Sequence, residues 1–252
     1  MEGFRVRAKK KTYKLLLSGG IRVLITTVLF DLDGTLLDLD KRFVPRYLER
    51  LASRMEQYIP RSVFLFQLGA STAYMIHHMD KRTNKQKFFD DFLSKLGIDD
   101  RIEQAFYEFY EEDFPSLKGD SCPLPGGREA YLAALSRGMD VVIASNPVLP
   151  EVAMEERLRW ANVGDLPKRY VTSLENMKAC KPYAEYYSEI LDTIGKDAKE
   201  CLMVGNDALE DLAASSLGIN TYYVTDRAIP SDLYAPDYTG TMRDLAEFIR
   251  NL

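Results

Sequence analysis

The chain has 252 residues, of which 46% are hydrophobic and 28% charged, with a formal net charge of −5. That balance excludes a disordered tail, a collagen-like fibre and a low-complexity scaffold, and its sign removes any global basic field that would draw nucleic acid or anionic lipid. The length suits one large domain or two modest ones.

In chain order, residues 1–20 read as a basic N-terminal extension outside the fold, with Arg5, Arg7, Lys9, Lys10, Lys11 and Lys14 set against one acid, Glu2. This segment mimics a secretory leader, but its apolar run, Leu15-Leu16-Leu17, is far short of the roughly 7–15 residues a leader needs. No stretch approaches the ~18 apolar residues of a membrane span. Cys122, Cys180 and Cys201 show no close pairing, so neither a disulfide framework nor a zinc knuckle is indicated. The expectation is a soluble protein of the reducing cytoplasm with no membrane or nucleic-acid partner.

Residues 23–30 are β-branched and apolar, as a strand covered on both faces of a parallel sheet should be. They run straight into Asp31-Leu32-Asp33-Gly34-Thr35. Four helical patterns follow, at about 44–58, 62–79, 85–96 and 101–114, with apolar residues at i, i+3, i+4 spacing, as in Phe88, Phe92, Leu93 and Leu96. From Pro125 the pattern alternates: helix 127–137, strand 140–144, helix 151–162, strand 169–172, helix 183–194, strand 200–204, helix 208–217, strand 220–224, helix 242–250. Such alternation predicts an α/β fold, a doubly wound parallel sheet formed by 21–38 and 121–252. Residues 39–120 then form a smaller all-helical domain inserted after the first strand.

Polar residues fall where the predicted strands stop: Asp31 and Asp33, Ser145 and Asn146, Asn206 and Asp207. Right-handed crossovers place those ends on one edge of the sheet, where such sheets bind ligands. Asp31 and Asp33 at i and i+2 share a face of an extended segment, and two carboxylates there can hold a cation and divide the roles of nucleophile and proton donor. Ser145 can offer a hydroxyl to phosphate oxygens. Lys181 can neutralise a carboxylate pair or a phosphoryl group. Asp207, Glu210 and Asp211 sit on a strand-to-helix turn and suit a hard cation that wants oxygen ligands, although acids in a first helical turn also serve as caps. Singly, each has a plainer role as a turn, cap or surface residue. Their joint order along one edge is what carries the functional reading.

Four segments resemble the motifs of haloacid dehalogenase-like hydrolases: Phe30-Asp31-Leu32-Asp33-Gly34-Thr35-Leu36, Ser145-Asn146, Lys181-Pro182, and Gly205-Asn206-Asp207-Ala208-Leu209-Glu210-Asp211. The resemblance runs from about Val23 to Leu252. The helical insert is similar to a C1-type cap, and Pro125-Gly126-Gly127 resembles the segment that follows it, as in phosphoglycolate phosphatase-like members.

The resemblance implies a Rossmann-like core and a phosphatase that works through an aspartyl-phosphate. Asp31 would attack phosphorus, Asp33 would protonate the leaving oxygen and then activate water, and Lys181 would balance charge. Thr35, Ser145 and Asn146 would hold the phosphoryl group. Mg²⁺ would take Asp31, the carbonyl of Asp33 and a group of the last motif. Many relatives have Gly-Asp at the start of that motif where this chain has Gly205-Asn206. Asp207 or Asn206 is therefore expected to bind the metal directly, with Asp211 mainly behind it. Dehalogenases of this type lack an acid two residues after the nucleophile, so Asp33 points to phosphate chemistry on a small phosphorylated metabolite. The alternatives are a phosphomutase, which passes the phosphoryl group to a sugar hydroxyl, and a non-catalytic phospho-ligand-binding module. Neither the substrate nor the oligomeric state is legible.

Overall fold

A computed structural model of the chain describes residues 24–252. The basic extension at 1–20 and the start of the first predicted strand lie outside the described residues. The strands are β1 (Thr27–Phe30), β2 (Leu37–Leu39), β3 (Ser121–Pro123), β4 (Asp140–Ile143), β5 (Tyr170–Val171), β6 (Cys201–Gly205), β7 (Asn220–Val224) and β8 (Tyr238–Gly240). Six of them form one sheet in the order β5-β4-β1-β6-β7-β8, and its pairings are all parallel. Strand β1 is central. Its four residues are buried on both faces, which explains their continuous apolar run.

Alternation along β1 divides the core. Val28 and Phe30 face one layer, where Phe30 stacks on Tyr131 at 5.6 Å. That layer contains helices α5 (Gly127–Ser136) and α8 (Met242–Arg250). Leu29 faces the other layer with Val142, Met203, Tyr186 and Tyr187, under helix α7 (Ala184–Ile194). The register sets Phe30 opposite both Ile143 and Val204, so three strand ends finish at one level. Helix α6 (Glu151–Trp160) follows β4.

Between β2 and β3 the chain forms α1 (Phe43–Met55), α2 (Arg61–His77), α3 (Asn84–Leu96) and α4 (Arg101–Glu108). Their shared core is aromatic: Phe64, Phe88, Phe89, Phe92 and Phe106 make mutual ring contacts. The antiparallel pairing of β2 with β3 ties together the two crossings into and out of this helical insert. Helix α3 begins with a reciprocal Thr83–Gln86 capping box. Helix starts leave N–H groups without intrahelical partners, and here the core supplies them. Asn84 N–H donates to the Met177 carbonyl at 2.7 Å and Lys85 N–H to that of Leu174 at 2.8 Å. The buried Lys87 Nζ donates to three carbonyls, including Lys178 at 2.6 Å. The insert is thereby fastened to the loop that leads to Lys181.

Several elements differ from the sequence expectation. The predicted helix at 101–114 breaks into α4, a π-helical turn at Phe109–Asp113 and a 3₁₀ segment at Phe114–Asp120. Pro115 opens the last of these and has no N–H to continue an α-helical ladder. The predicted helix at 208–217 is a tight turn followed by a 3₁₀ helix, Leu212–Leu217. Strands β2, β3 and β8 are too short to carry a periodic signal. No helix among the described residues is long and apolar enough to cross a membrane.

Phe64 is fully buried, so truncation leaves a cavity that the packed rings cannot close. Phe64→Ala should cost about 3–5 kcal/mol, read as a lower denaturant midpoint.

Candidate active site

At the C-terminal end of β1 the chain leaves the sheet at Asp31, whose N–H still donates to the Val204 carbonyl at 2.9 Å. Lys181, fully buried, donates to Asp31 Oδ1 at 2.8 Å and to Asp211 Oδ1 at 2.6 Å. One ammonium thus serves two buried carboxylates. Burial opposes its charge, yet Asp211 and Asp31 together hold the Lys181 pKa well above the usual range. Burial, offset by Lys181, pushes the Asp31 carboxyl up to about 7. Asp211 is raised for the same reason. The cluster carries more negative charge than its lysine balances.

The other sequence candidates surround this ion pair. Asn146 accepts from the Lys181 backbone N–H at 3.3 Å and donates to Glu210 Oε1 at 3.2 Å. Ser145 is buried, and its carbonyl is held by Tyr186 Oη at 2.8 Å and Thr172 Oγ1 at 2.7 Å. Thr35 donates to Asn206 Oδ1 at 3.1 Å, and Asn206 Nδ2 donates to the Arg227 carbonyl. Gly34 is left-handed at φ +75°, and a Cβ there would stand 2.4 Å from Asn206. Only glycine lets the first turn approach the last motif so closely. A Cβ on Gly205 would likewise fall on the Asp211 carboxylate.

The acids of the last motif shape their own turn. Asp207 Oδ1 accepts from Leu209 N–H at 2.8 Å and Glu210 N–H at 3.0 Å, while Asp211 Oδ2 accepts from Asp207 N–H at 2.9 Å. Both Asp211 oxygens are therefore engaged. Asp33 lies apart from this group: its half-exposed carboxylate is paired with the buried guanidinium of Arg157 on α6. Arg157 Nε has no hydrogen-bond partner.

Three participants were not singled out from sequence as site residues. Arg157 reads as one more charge on a polar helix, and only the packing buries it. Tyr186 and Tyr187 line the lysine, Tyr187 Oη donating to the Glu210 carbonyl at 2.6 Å. Their adjacency just after Lys181-Pro182 was the available signal. Glu210, read from sequence as a cation ligand or a cap, has its carboxyl pKa raised by burial and lies in the field of Lys181, Asp31 and Asp207.

The groups that the motif resemblance names for a metal, the Asp31 carboxylate, the Asp33 carbonyl, and Asn206 or Asp207, are all oxygen donors. Among the described residues no group of three or more His, Cys, Asp or Glu forms a ready-made metal cage. A magnesium ion does not require one, since it binds through one or two carboxylates and keeps several waters. The uncompensated charge around Asp31 fits such an ion.

A family model described as haloacid dehalogenase-like hydrolase matches residues 25–218. The chain belongs to that family. A curated protein of Caldanaerobacter subterraneus subsp. tengcongensis, PpaX, provisionally named a pyrophosphatase, is 22% identical over 219 residues, 85% of this chain and 89% of that one. Among solved structures, a phosphatase of this family from Thermococcus onnurineus superposes with a TM-score of 0.58 at 15% identity, over 89% of this chain and 97% of the other. The L-2-haloacid dehalogenase of Xanthobacter autotrophicus gives a TM-score of 0.53 at 17% identity, over 91% of this chain and 100% of its own. Both share the fold.

Lys181→Met should destabilise the protein by about 3–5 kcal/mol, because two buried carboxylates lose the counter-charge they share. Equilibrium unfolding measures this.

Proposed function

We propose that this hydrolase is a Mg²⁺-dependent phosphomonoesterase that acts in the cytoplasm on a small phosphorylated metabolite. The observation that carries the reading is Asp31 held on the buried Lys181 with a second acid, Asp33, two residues on. A dehalogenase would need only the first acid. Phosphoryl transfer needs a nucleophile, positive charge around the phosphoryl oxygens and a proton for the leaving oxygen.

Lys181 fixes the Asp31 carboxylate so that its second oxygen is presented to phosphorus. Attack forms an aspartyl-phosphate as the ester P–O bond breaks, and Asp33 gives its proton to the leaving oxygen. Asp33 then takes a proton from water, which attacks phosphorus, releases phosphate and restores Asp31. In this reading Thr35, Ser145 and Asn146 hold the phosphoryl oxygens. A bound Mg²⁺ supplies charge neutralisation for the phosphoryl oxygens. We assign its last-motif ligand to Asn206, which abuts the Gly34 turn and meets Thr35, whereas Asp207 is turned to its own cap. The three cysteines are free, two of them buried, as suits a reducing compartment.

Hydrolysis of para-nitrophenyl phosphate should require Mg²⁺, stop with EDTA, and fall at least ~10³-fold in Asp31→Asn. Turnover that survives Asp31→Asn removes Asp31 as nucleophile and sinks the mechanism. Asn206→Ala should raise the Mg²⁺ needed for half-maximal activity roughly 10- to 100-fold, and Asp207→Asn far less. The reverse order would hand the ligand to Asp207.

A further inference from the structure

Between the helical insert and the core lies a cavity of about 580 Å³ that the chemistry above leaves unused. Leu65, Leu68, Ile76, Phe88, Phe106 and Leu149 are among its walls, and among the described residues no Lys, Arg, Asp or Glu lines it. Its polar lining groups are largely spoken for. The Tyr47 and Tyr110 hydroxyls bond each other at 2.7 Å, and Tyr107 Oη donates to Glu175 at 2.6 Å.

Three contacts connect this cavity to the catalytic groups. Val148 in its wall donates to the carbonyl of Asn146 at 2.8 Å. His77 Nδ1 lies 2.8 Å from the hydroxyl of Tyr183, two residues after Lys181. Tyr47 in its wall stacks on Phe43, which packs on Trp160 of α6, the helix that carries Arg157, the partner of Asp33. The cavity therefore borders the segments that carry the phosphoryl-binding loop, the lysine and the proton donor. Asp33 protonates the leaving oxygen, so what hangs from that oxygen extends beside Asp33.

We propose that this cavity receives the leaving group, and that the substrate is a phosphomonoester of a largely apolar alcohol with no second anionic group. The inference rests on the phosphatase reading above. The volume is that of a small-molecule site. Among the described residues no lysine or arginine is there to meet a second phosphate or a carboxylate, which would lose its hydration, so pyrophosphate and phosphoglycolate are poor fits.

The test uses the full chain with Mg²⁺ and compares kcat/KM for ethyl, butyl and hexyl phosphate, whose leaving oxygens are equally basic. Each buried methylene should raise kcat/KM about three- to fourfold, on the order of 100-fold from ethyl to hexyl. Pyrophosphate and 2-phosphoglycolate should fall below ethyl phosphate. Gly69 lines the cavity within α2, and a Cβ there meets nothing within 4 Å. Gly69→Leu fills space without a clash and favours the helix, and it should cut the hexyl-to-ethyl ratio at least tenfold. A flat alkyl series, a preference for 2-phosphoglycolate, or an unchanged ratio in Gly69→Leu overturns the role of the cavity while the phosphatase reading stands. The alkyl series decides the matter even without the variant. No turnover of any ester sinks the phosphatase reading, and the proposal with it.

Discussion

One buried ammonium between two buried carboxylates sets the terms for the rest of this molecule. Lys181 meets Asp31 and Asp211 at 2.8 and 2.6 Å with its side chain wholly out of water. Desolvating three charges is costly, and the geometry must be held by everything around them. Tyr186 and Tyr187 wall the lysine, Asn146 holds its backbone, and Gly205 leaves room for the Asp211 carboxylate against the strand end. Burial, with the negative charge of Asp211 added to it, keeps Asp31 reluctant to ionise despite Lys181. A cation or a bound ligand that relieves this imbalance gains from the same desolvation that makes the bare cluster expensive.

That cluster is possible because β1 is paired in matched register on both sides. Phe30 lies opposite Ile143 and Val204, so the residues that follow each strand emerge at one height. The sheet is buried on both faces, which makes the register hard to slip. The last motif then turns sharply, held by the side chains of Asp207 and Asp211 against backbone N–H groups. A regular helix in its place would not present those groups in the same way.

The helical insert brings a different chemistry to the same edge. Its interior is a cluster of phenylalanines, and its α3 start is bonded to core carbonyls next to the lysine loop. The seam between insert and core is apolar and uncharged where it widens into a cavity, while the catalytic groups a few residues away are densely charged. Under the proposed function, charge concentrated at the Lys181 cluster and absent from the cavity would separate recognition of the phosphoryl group from recognition of what it is attached to.

Local pattern in the sequence determined a good deal. The β-branched run before Asp31, the alternation after Pro125 and the i, i+3, i+4 spacing of the insert all report burial, and burial is what those elements serve. Three of the family motifs were legible for the same reason: each occupies a strand end, marked by an abrupt change from apolar to polar, while Lys181-Pro182 lies in the loop before α7. What sequence could not decide depends on contacts across long separations. It could not show that Arg157 is buried against Asp33, or that Asn206 rather than Asp207 lies against Gly34. It also could not show that the segment after β6 turns instead of forming a helix, since side chains four residues apart compete there for the backbone. The short pairings of β2, β3 and β8 carry too few residues for any period. The apolar cavity exists only once six separate segments meet, so its chemistry was settled by tertiary packing alone.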